Sequence, residues 1–398
     1  MDPALGGGQG VRRHAGAQRR RPGGHQCPHH HRERSPVGKP LDVGIVGLGN
    51  ISAQYMTTLA DLPQLRLVAV ADLAHHRAEE VAAARGGVQA LDVDQLIAHP
   101  AVDVVLNLTV PAAHAEIALQ AIAAGKDVYG EKPLAATTAE GTKVVEAALA
   151  AGVRVGCAPD TVLGTGTQTA RRAIDDGVIG RPVAATATMT TPGHEAWHPN
   201  PDFYYQPGGG PLLDMGPYYV TALVTLLGPV ADVVGAASHT RASRVIGRGP
   251  RAGESIPVAV DSHVTGILRH ASGALSTLVM SFDGAKTRAA PIEVHGEEAS
   301  LTVPDPNQFD GDVLIHRPAH DWELLPPSAG YLDGGRGIGL ADLALTPTGR
   351  EPRANATLAL HVLDVMESIL RSAEQGAWAA VGTTAERPAP VPLSALTG

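Results

Sequence analysis

Hydrophobic positions along the chain change their period once, near the middle. From Leu41 a short β-branched run (Val43, Ile45, Val46) ends in Gly47-Leu48-Gly49-Asn50-Ile51-Ser52, and a helical pattern follows over about residues 51–61. A second apolar run, Leu65, Leu67, Val68 and Val70, ends at Asp72, and residues 74–84 read as a helix bearing Arg77, Glu79 and Glu80. The alternation continues through a short strand near Val88, a helix at 92–98 and an apolar strand at 102–107. Helices fit 112–124 and 138–151, with strands at Asp127–Gly130 and Val153–Cys157. Short, nearly continuous apolar strands separated by helices predict a parallel sheet covered on both faces. After about Pro159 one helix (about 165–176) precedes alternating Val, Ala and Thr stretches at 182–191, 230–240, 256–270 and 273–282. These predict antiparallel strands. A last helix at about 354–373 sets Leu358, Val362, Val365 and Ile369 on one face, to pack back onto the body. The expected fold is therefore α/β: a parallel-sheet domain over 41–159, then an α+β domain with an open, largely antiparallel sheet over 160–398.

Composition agrees, with 44% hydrophobic and 18% charged residues in 398, enough for two domains with self-sufficient cores. Charge separates the ends of the chain. Residues 1–40 carry a net +6 and leave −15 on the remainder. An acidic body repels phosphate backbones, so no nucleic-acid partner is expected. The basic head, with His29, His30 and His31 in a row, shows no helical or strand period and reads as disordered, as a targeting segment or as the product of an upstream start. No apolar run reaches the roughly 18 residues of a membrane span, so no membrane contact is expected. Cys27 and Cys157 are too few for a disulfide framework, and a cytoplasmic location fits best.

The chemistry begins in residues 43–72. Gly47 permits the tight turn after the first strand, Gly49 lets backbone approach a pyrophosphate, and the helix opening at Asn50 and Ile51 turns its amides toward the anion. Where a third glycine is usual in GxGxxG stands Ser52, which crowds the helix slightly but leaves the cradle intact. Asp72 ends the second strand, where a carboxylate accepts from ribose hydroxyls and repels a 2′-phosphate, so NAD is expected over NADP. The bland alternative is a glycine turn with Asp72 as a helix cap; His75, His76 and Arg77 also bear on the cofactor preference.

Further motifs make the chain resemble the glucose–fructose oxidoreductase / inositol dehydrogenase / rhizopine catabolism family, Gfo/Idh/MocA. They are Thr109-Val110-Pro111 with His114, Gly125-Lys126-Asp127-Val128-Tyr129-Gly130-Glu131-Lys132-Pro133, Gly208-Gly209-Gly210-Pro211-Leu212-Leu213-Asp214-Met215-Gly216, and Asp305-Pro306-Asn307-Gln308-Phe309. The resemblance implies an N-terminal Rossmann domain and a sugar or cyclitol substrate, with Thr109, Pro111 and Glu131 beside the cofactor. It implies that Lys132, one of only five lysines, reaches the reacting oxygen, with Glu131 positioning it or the nicotinamide ribose and Asp214 orienting it or the substrate. The family's Asp-x-Gly-x-His ends here in Tyr218, so the proton carrier implied is a phenol, as in tyrosine-bearing branches; Tyr219 is the adjacent rival, turned about 100° away on a helix expected to start near Asp214. Core packing is the alternative for both rings. His114 opens a helix, where capping and cofactor contact are both open.

Six of the 13 aromatics fall within residues 197–219, in and after Pro192-Gly193-His194-Glu195-Ala196-Trp197-His198. Aromatic faces pack on sugar rings while His and Asn read hydroxyls, so His194, Trp197, His198, Tyr205 and Tyr219 are expected to line a substrate pocket, against the alternative of core packing. Asp160, past the strand at 153–157, lies at the ligand-binding edge of the sheet. His194-Glu195-Ala196-Trp197-His198 has HExxH spacing, but Gly193 and the flanking prolines argue against the helix that such a zinc site uses, and no metal is expected. The expected activity is an NAD(H)-dependent hydride transfer at a ring carbon of a sugar, glycoside or cyclitol. The rivals are an NAD-assisted glycosidase working through a transient 3-keto sugar and a non-catalytic sensor. A homodimer or homotetramer would bury the open sheet face.

Overall fold

The computed structural model describes residues 39–347 and 349–396; the expectations for the basic head fall on residues outside these, apart from Lys39 and Pro40. Strands β1 (Leu41–Val46), β2 (Leu65–Ala71), β3 (Gln89–Ala90), β4 (Val104–Asn107), β5 (Asp127–Gly130) and β6 (Val155–Cys157) form one sheet in the order β3-β2-β1-β4-β5-β6. Every pairing in it is parallel. Helices α1 (Ser52–Ala60), α2 (His75–Ala84), α3 (Val93–Ala98), α4 (Pro111–Ala123) and α5 (Thr138–Ala151) make the crossovers. Local chemistry sets their ends: Asp92 and Gln95 form a capping box on α3, the Thr137 hydroxyl accepts from the Glu140 amide, and Gly152 closes α5 in the left-handed conformation. Val43, Ile45, Val104, Val105 and Leu106 have no exposed surface, the burial that a doubly covered parallel sheet demands.

The second half holds α6 (Thr165–Asp175), β7 (Pro182–Thr190), α7 (Pro211–Leu227) and β8 (Val230–Ser238), then a two-stranded ribbon of β9 (Ser243–Val245) and β10 (Ser255–Pro257). Strands β11 (His263–His270), β12 (Leu275–Ser281), β13 (Ile292–Gly296), β14 (Ser300–Val303), β15 (Val313–His316) and β16 (Glu323–Leu325) follow, then α8 (Ile338–Leu345), α9 (Ala356–Gln375) and β17 (Ala379–Ala380). Nine strands run in the order β16-β15-β14-β13-β7-β12-β11-β8-β17, antiparallel throughout except for the parallel pair β7 and β12. Two expectations are corrected here. The single strand expected at 256–270 is two, because residues 255–257 pair with β9 and only residues from His263 onward join the large sheet. The helix around Tyr218 begins at Pro211, not near Asp214: Gly210 at φ +91° enters it and Pro211 starts its first turn, where a missing N–H costs nothing.

Helix α9 ties the halves together. Asn355 caps it by accepting from the Leu358 amide at 2.8 Å, and its apolar stripe (Leu358, Val362, Val365, Ile369) is buried among α5, α7 and β8. Among the described residues no helix is long and apolar enough to cross a membrane.

Candidate active site

The carboxyl edge of the parallel sheet collects the loops that leave β1, β2, β4, β5 and β6. At the first, Gly47 has φ +97° and a Cβ there would sit 2.7 Å from the Leu108 carbonyl, so no other residue fits. Gly49 is the opposite case: a Cβ would meet nothing within 4 Å, which leaves its exposed backbone open to an incoming group. Among the described residues the amides of Gly49, Asn50 and Ile51 have no hydrogen-bond acceptor, and they sit at the start of α1. That is the donor set a pyrophosphate requires. Ser52 explains how the loop manages without a third glycine: its buried hydroxyl donates to the Gly49 carbonyl at 2.7 Å and folds the turn back onto the helix.

Asp72 accepts from the Leu48 amide at 2.7 Å and the Ala74 amide at 2.8 Å, so it joins the glycine loop to the turn before α2, whose N-cap residue is Ala74 and not Asp72. Each carboxylate oxygen retains lone-pair capacity for ribose hydroxyls. The exposed Arg77 guanidinium stands 3.9 Å away.

The loops after β4 and β5 are stitched to each other. Asn107 accepts from both the amide and hydroxyl of Thr109, and its amide nitrogen donates to the His114 carbonyl. The buried His114 ring spans the Pro133 carbonyl (2.6 Å) and the Thr109 carbonyl (3.0 Å), so its contacts go to loop backbone. Pro111 is exposed beside it. Glu131 accepts from the Tyr55 hydroxyl of α1 at 2.7 Å and from the Lys132 amide at 3.0 Å, which fixes the turn that presents Lys132.

Lys132 Nζ donates to the Asp214 carbonyl (2.7 Å) and to Asp214 Oδ1 (3.0 Å), and Asp214 Oδ2 lies 2.9 Å from Nε2 of His194. Burial raises the Asp214 carboxyl, but the Lys132 charge and the His194 hydrogen bond outweigh it and bring it down to about 2. An ionised carboxylate only accepts, so His194 donates through Nε2. Burial pulls the Lys132 ammonium down, and the charges of Asp214, Tyr218 and Glu131 reverse this into a net rise. Lys132 is therefore held as an ammonium, with N–H groups donating to Asp214.

Tyr218 follows Asp214 by four residues on α7, on the same helix face. Its ring centroid is 5.3 Å from Lys132 Nζ and 5.2 Å from the guanidinium carbon of Arg336. Burial raises its phenol, against the opposing pull of Lys132 and Arg336. Tyr219 turns elsewhere: it is buried, its hydroxyl lies 3.5 Å from Asp305, and burial drives its pKa strongly upward.

The aromatic loop divides by exposure. Trp197 is 52% exposed and packs edge-on to His194 and His198, with Phe203 and Tyr204 beside them. Burial lowers the His198 pKa and raises the Tyr204 phenol, the latter to about 12. Tyr205 has no exposed surface; its hydroxyl binds Glu195 and its ring lies under the buried Arg244. Arg244 in turn bonds Glu195, Asp283 and the carbonyls of Pro192 and Phe282, clamping the loop to the end of β12. Asp160 likewise has no exposed surface, and its Oδ2 accepts from the amides of Gly337 and Gly339. The expectation of substrate contact for Tyr205 and Tyr219 is corrected by their hydroxyls, which are directed to Glu195 and Asp305 in the interior; Asp160 is also buried and spends Oδ2 on backbone amides, while its Oδ1 has no hydrogen-bond partner among the described residues. Residues that sequence reasoning passed over are Tyr55, Asn107, Arg244 and Arg336; only Arg336, set between glycines in Gly334-Gly335-Arg336-Gly337, carried a visible signal.

A strand order of β3-β2-β1-β4-β5-β6 with an open glycine loop at its carboxyl edge defines a dinucleotide-binding Rossmann domain, and the family that the chain matches makes it an NAD-dependent oxidoreductase. The chain belongs to the GFO/IDH/MocA family: residues 41–158 match its oxidoreductase family NAD-binding Rossmann fold and residues 167–302 match its C-terminal domain. It is 29% identical over 262 residues to the 1,5-anhydro-D-fructose reductase of Ensifer adhaerens, covering 65% of this chain and 74% of that one. It is 27% identical over 262 residues to the myo-inositol 2-dehydrogenase of Thermotoga maritima, covering 66% and 74%. The crystal structure of an NAD binding oxidoreductase from Klebsiella pneumoniae superposes with a TM-score of 0.75 at 26% identity, covering 86% of this chain and 99% of that one.

Proposed function

We propose that the protein is an NAD(H)-dependent dehydrogenase or reductase of a sugar or cyclitol, acting at a ring carbon that bears a hydroxyl. The observation that carries this reading is the chain Lys132–Asp214–His194, with Tyr218 one helical turn beyond Asp214. The substrate class draws support from the relatives, whose names specify an anhydro-sugar and an inositol, both polyhydroxylated rings.

Gly47, Gly49, Asn50 and Ile51 would hold the pyrophosphate, Asp72 the ribose, and Thr109, Pro111 and Glu131 would border the nicotinamide end, with His114 bracing their loops. When bound, the dinucleotide supplies the hydride acceptor or donor. NAD over NADP is supported by Asp72, whose carboxylate opposes a 2′-phosphate. In oxidation the Lys132 ammonium donates to the forming alkoxide, and Tyr218, ionised to the phenolate, takes the hydroxyl proton as the C–H bond releases its hydride. In reduction the phenol returns the proton. Trp197 and His198 supply an open wall on which the apolar face of a ring can pack.

The test is NADH formation by the purified protein with NAD and a panel of pyranoses, glycosides and inositols, beside Tyr218→Phe. The expected result is NADH with at least one ring polyol and a loss of roughly 10²–10⁴-fold in the variant, the usual worth of a general acid–base group. A flat trace across the panel, with NAD shown to bind, overturns the reading and leaves a hydride-borrowing glycosidase, which aglycone release would reveal.

A further inference from the structure

Arg336 reaches the site from the loop before α8, far along the chain from every motif that marks it. Its guanidinium carbon is 5.2 Å from the Tyr218 ring centroid and 5.7 Å from that of Phe309. With Lys132 Nζ at 5.3 Å, two cations bear on one phenol.

Its position is built rather than accidental. Arg336 Nη2 donates to Asn307 Oδ1 at 2.6 Å. The next residue, Gly337, donates its amide to the buried Asp160 carboxylate at 2.8 Å, and Gly339 does so at 3.1 Å. Gly337 has φ +110°, and a Cβ there would lie 2.8 Å from Leu59 of α1, so the loop is pressed against the cofactor-side helix. Asp160 thus acts as the anchor of the arginine loop. Arg336 Nη1 is buried and has no hydrogen-bond partner among the described residues. Its charge bears on Tyr218, Asp160, Glu131 and Tyr55.

We propose that Arg336 is a positioning residue for proton transfer at Tyr218: the guanidinium holds the phenol ring in register and stabilises the phenolate that receives the proton of the substrate hydroxyl. This rests on the proton-carrying role given to Tyr218 above. Around that ring the charged and titratable groups are Lys132 and Glu131 from the turn after β5, Asp214 from its own helix, Tyr204 from the aromatic loop, and Arg336. Of these, Lys132 and Arg336 favour the phenolate and the acidic groups oppose it. Burial leaves the phenol protonated near neutrality, so oxidation speeds up as pH rises toward the Tyr218 ionisation.

The experiment compares wild type, Arg336→Met, Arg336→Lys and Tyr218→Phe in two readouts. One is the ultraviolet titration of tyrosinate in the protein without substrate, the Tyr218 contribution being the difference from Tyr218→Phe. The other is the pH profile of kcat/KM for oxidation of a substrate found in the panel. Arg336→Met should move the Tyr218 ionisation and the rise of kcat/KM upward by about one pH unit, about a ten-fold loss at fixed pH, with Arg336→Lys in between. An unshifted tyrosinate titration in Arg336→Met and Arg336→Lys, with circular dichroism unchanged, overturns the proposal while leaving the Tyr218 reading intact. Full activity in Tyr218→Phe removes the Tyr218 reading itself, and the proposal with it. Should Arg336→Met fail to fold, Arg336→Lys decides alone.

Discussion

His194 Nε2 donates to Oδ2 of Asp214 at 2.9 Å, while the other oxygen of the same carboxylate accepts from Lys132. His194 and Lys132 come from different halves of the chain, so the carboxylate between them fixes the lysine relative to the aromatic loop. The other imidazole nitrogen, Nδ1, is buried without a hydrogen-bond partner among the described residues, and the ring packs 4.4 Å from that of Phe282. His194 therefore holds Asp214 through one nitrogen while its ring is packed in place.

His194→Ala should lower kcat by roughly 10- to 100-fold, the worth of a hydrogen bond to a charged group, with NAD affinity unchanged. His194→Gln, which can donate from the same side, should recover part of the loss. Wild-type kcat in His194→Ala would mean that the Asp214 carbonyl and Oδ1 contacts suffice to orient Lys132.

Asp72 holds the Leu48 and Ala74 amides and keeps Arg77 engaged at 3.9 Å. Asp72→Ser keeps an acceptor for the loop, removes the charge that opposes a 2′-phosphate and frees Arg77 to meet one. The ratio of kcat/KM with NAD to that with NADP should fall by about 10- to 100-fold, read in parallel assays with each cofactor. An unchanged ratio would show that cofactor choice is made elsewhere in the site.

The parallel-sheet half was legible because its signals are local. β-Branched runs with no exposed surface became strands within a residue or two of their expected ends, and capped, glycine-terminated segments became helices. Strands β13–β16 were not foreseen because they are three to five residues long, and their identity comes from pairing with neighbours that only the tertiary fold supplies. The site divides in the same way. Lys132, Asp214, Tyr218 and Asp72 sit in compact motifs, and the fold brings the first three together. The direction in which a side chain points is a tertiary fact. Asp160 stands at the expected sheet edge yet turns to the Gly337 and Gly339 amides, and Tyr205 lies in the aromatic loop yet turns inward to Glu195. Arg336 lies outside every motif, so its approach to Tyr218 could be found only in three dimensions.

The last prediction concerns acid stability and rests on His361 in α9, which has no exposed surface. Its Nε2 accepts from the Val230 amide at 3.0 Å and so must be unprotonated, while Nδ1 faces the Thr383 hydroxyl at 3.1 Å. Burial lowers its pKa from 6.5 to about 4, with His270 adding to the fall and Asp364 and Thr383 opposing it. The folded value lies below the unfolded one, so above pH 6.5 neither state binds the proton and the contribution of the neutral ring is fully present. As pH falls toward 4 the unfolded chain takes up a proton that the folded chain refuses, and stability drops by up to about 1.4 kcal/mol per pH unit, roughly 3 kcal/mol in all. Asp214, held at about 2, loses its contribution only below the ordinary carboxylate range, so the two windows are separate. Urea midpoints for wild type and His361→Gln, taken at steps from pH 7.5 down to 4.5, should converge on acidification, because glutamine can still accept from Val230 but cannot titrate. Parallel curves for the two proteins would mean that His361 does not set the acid limit and that carboxylates or His270 do.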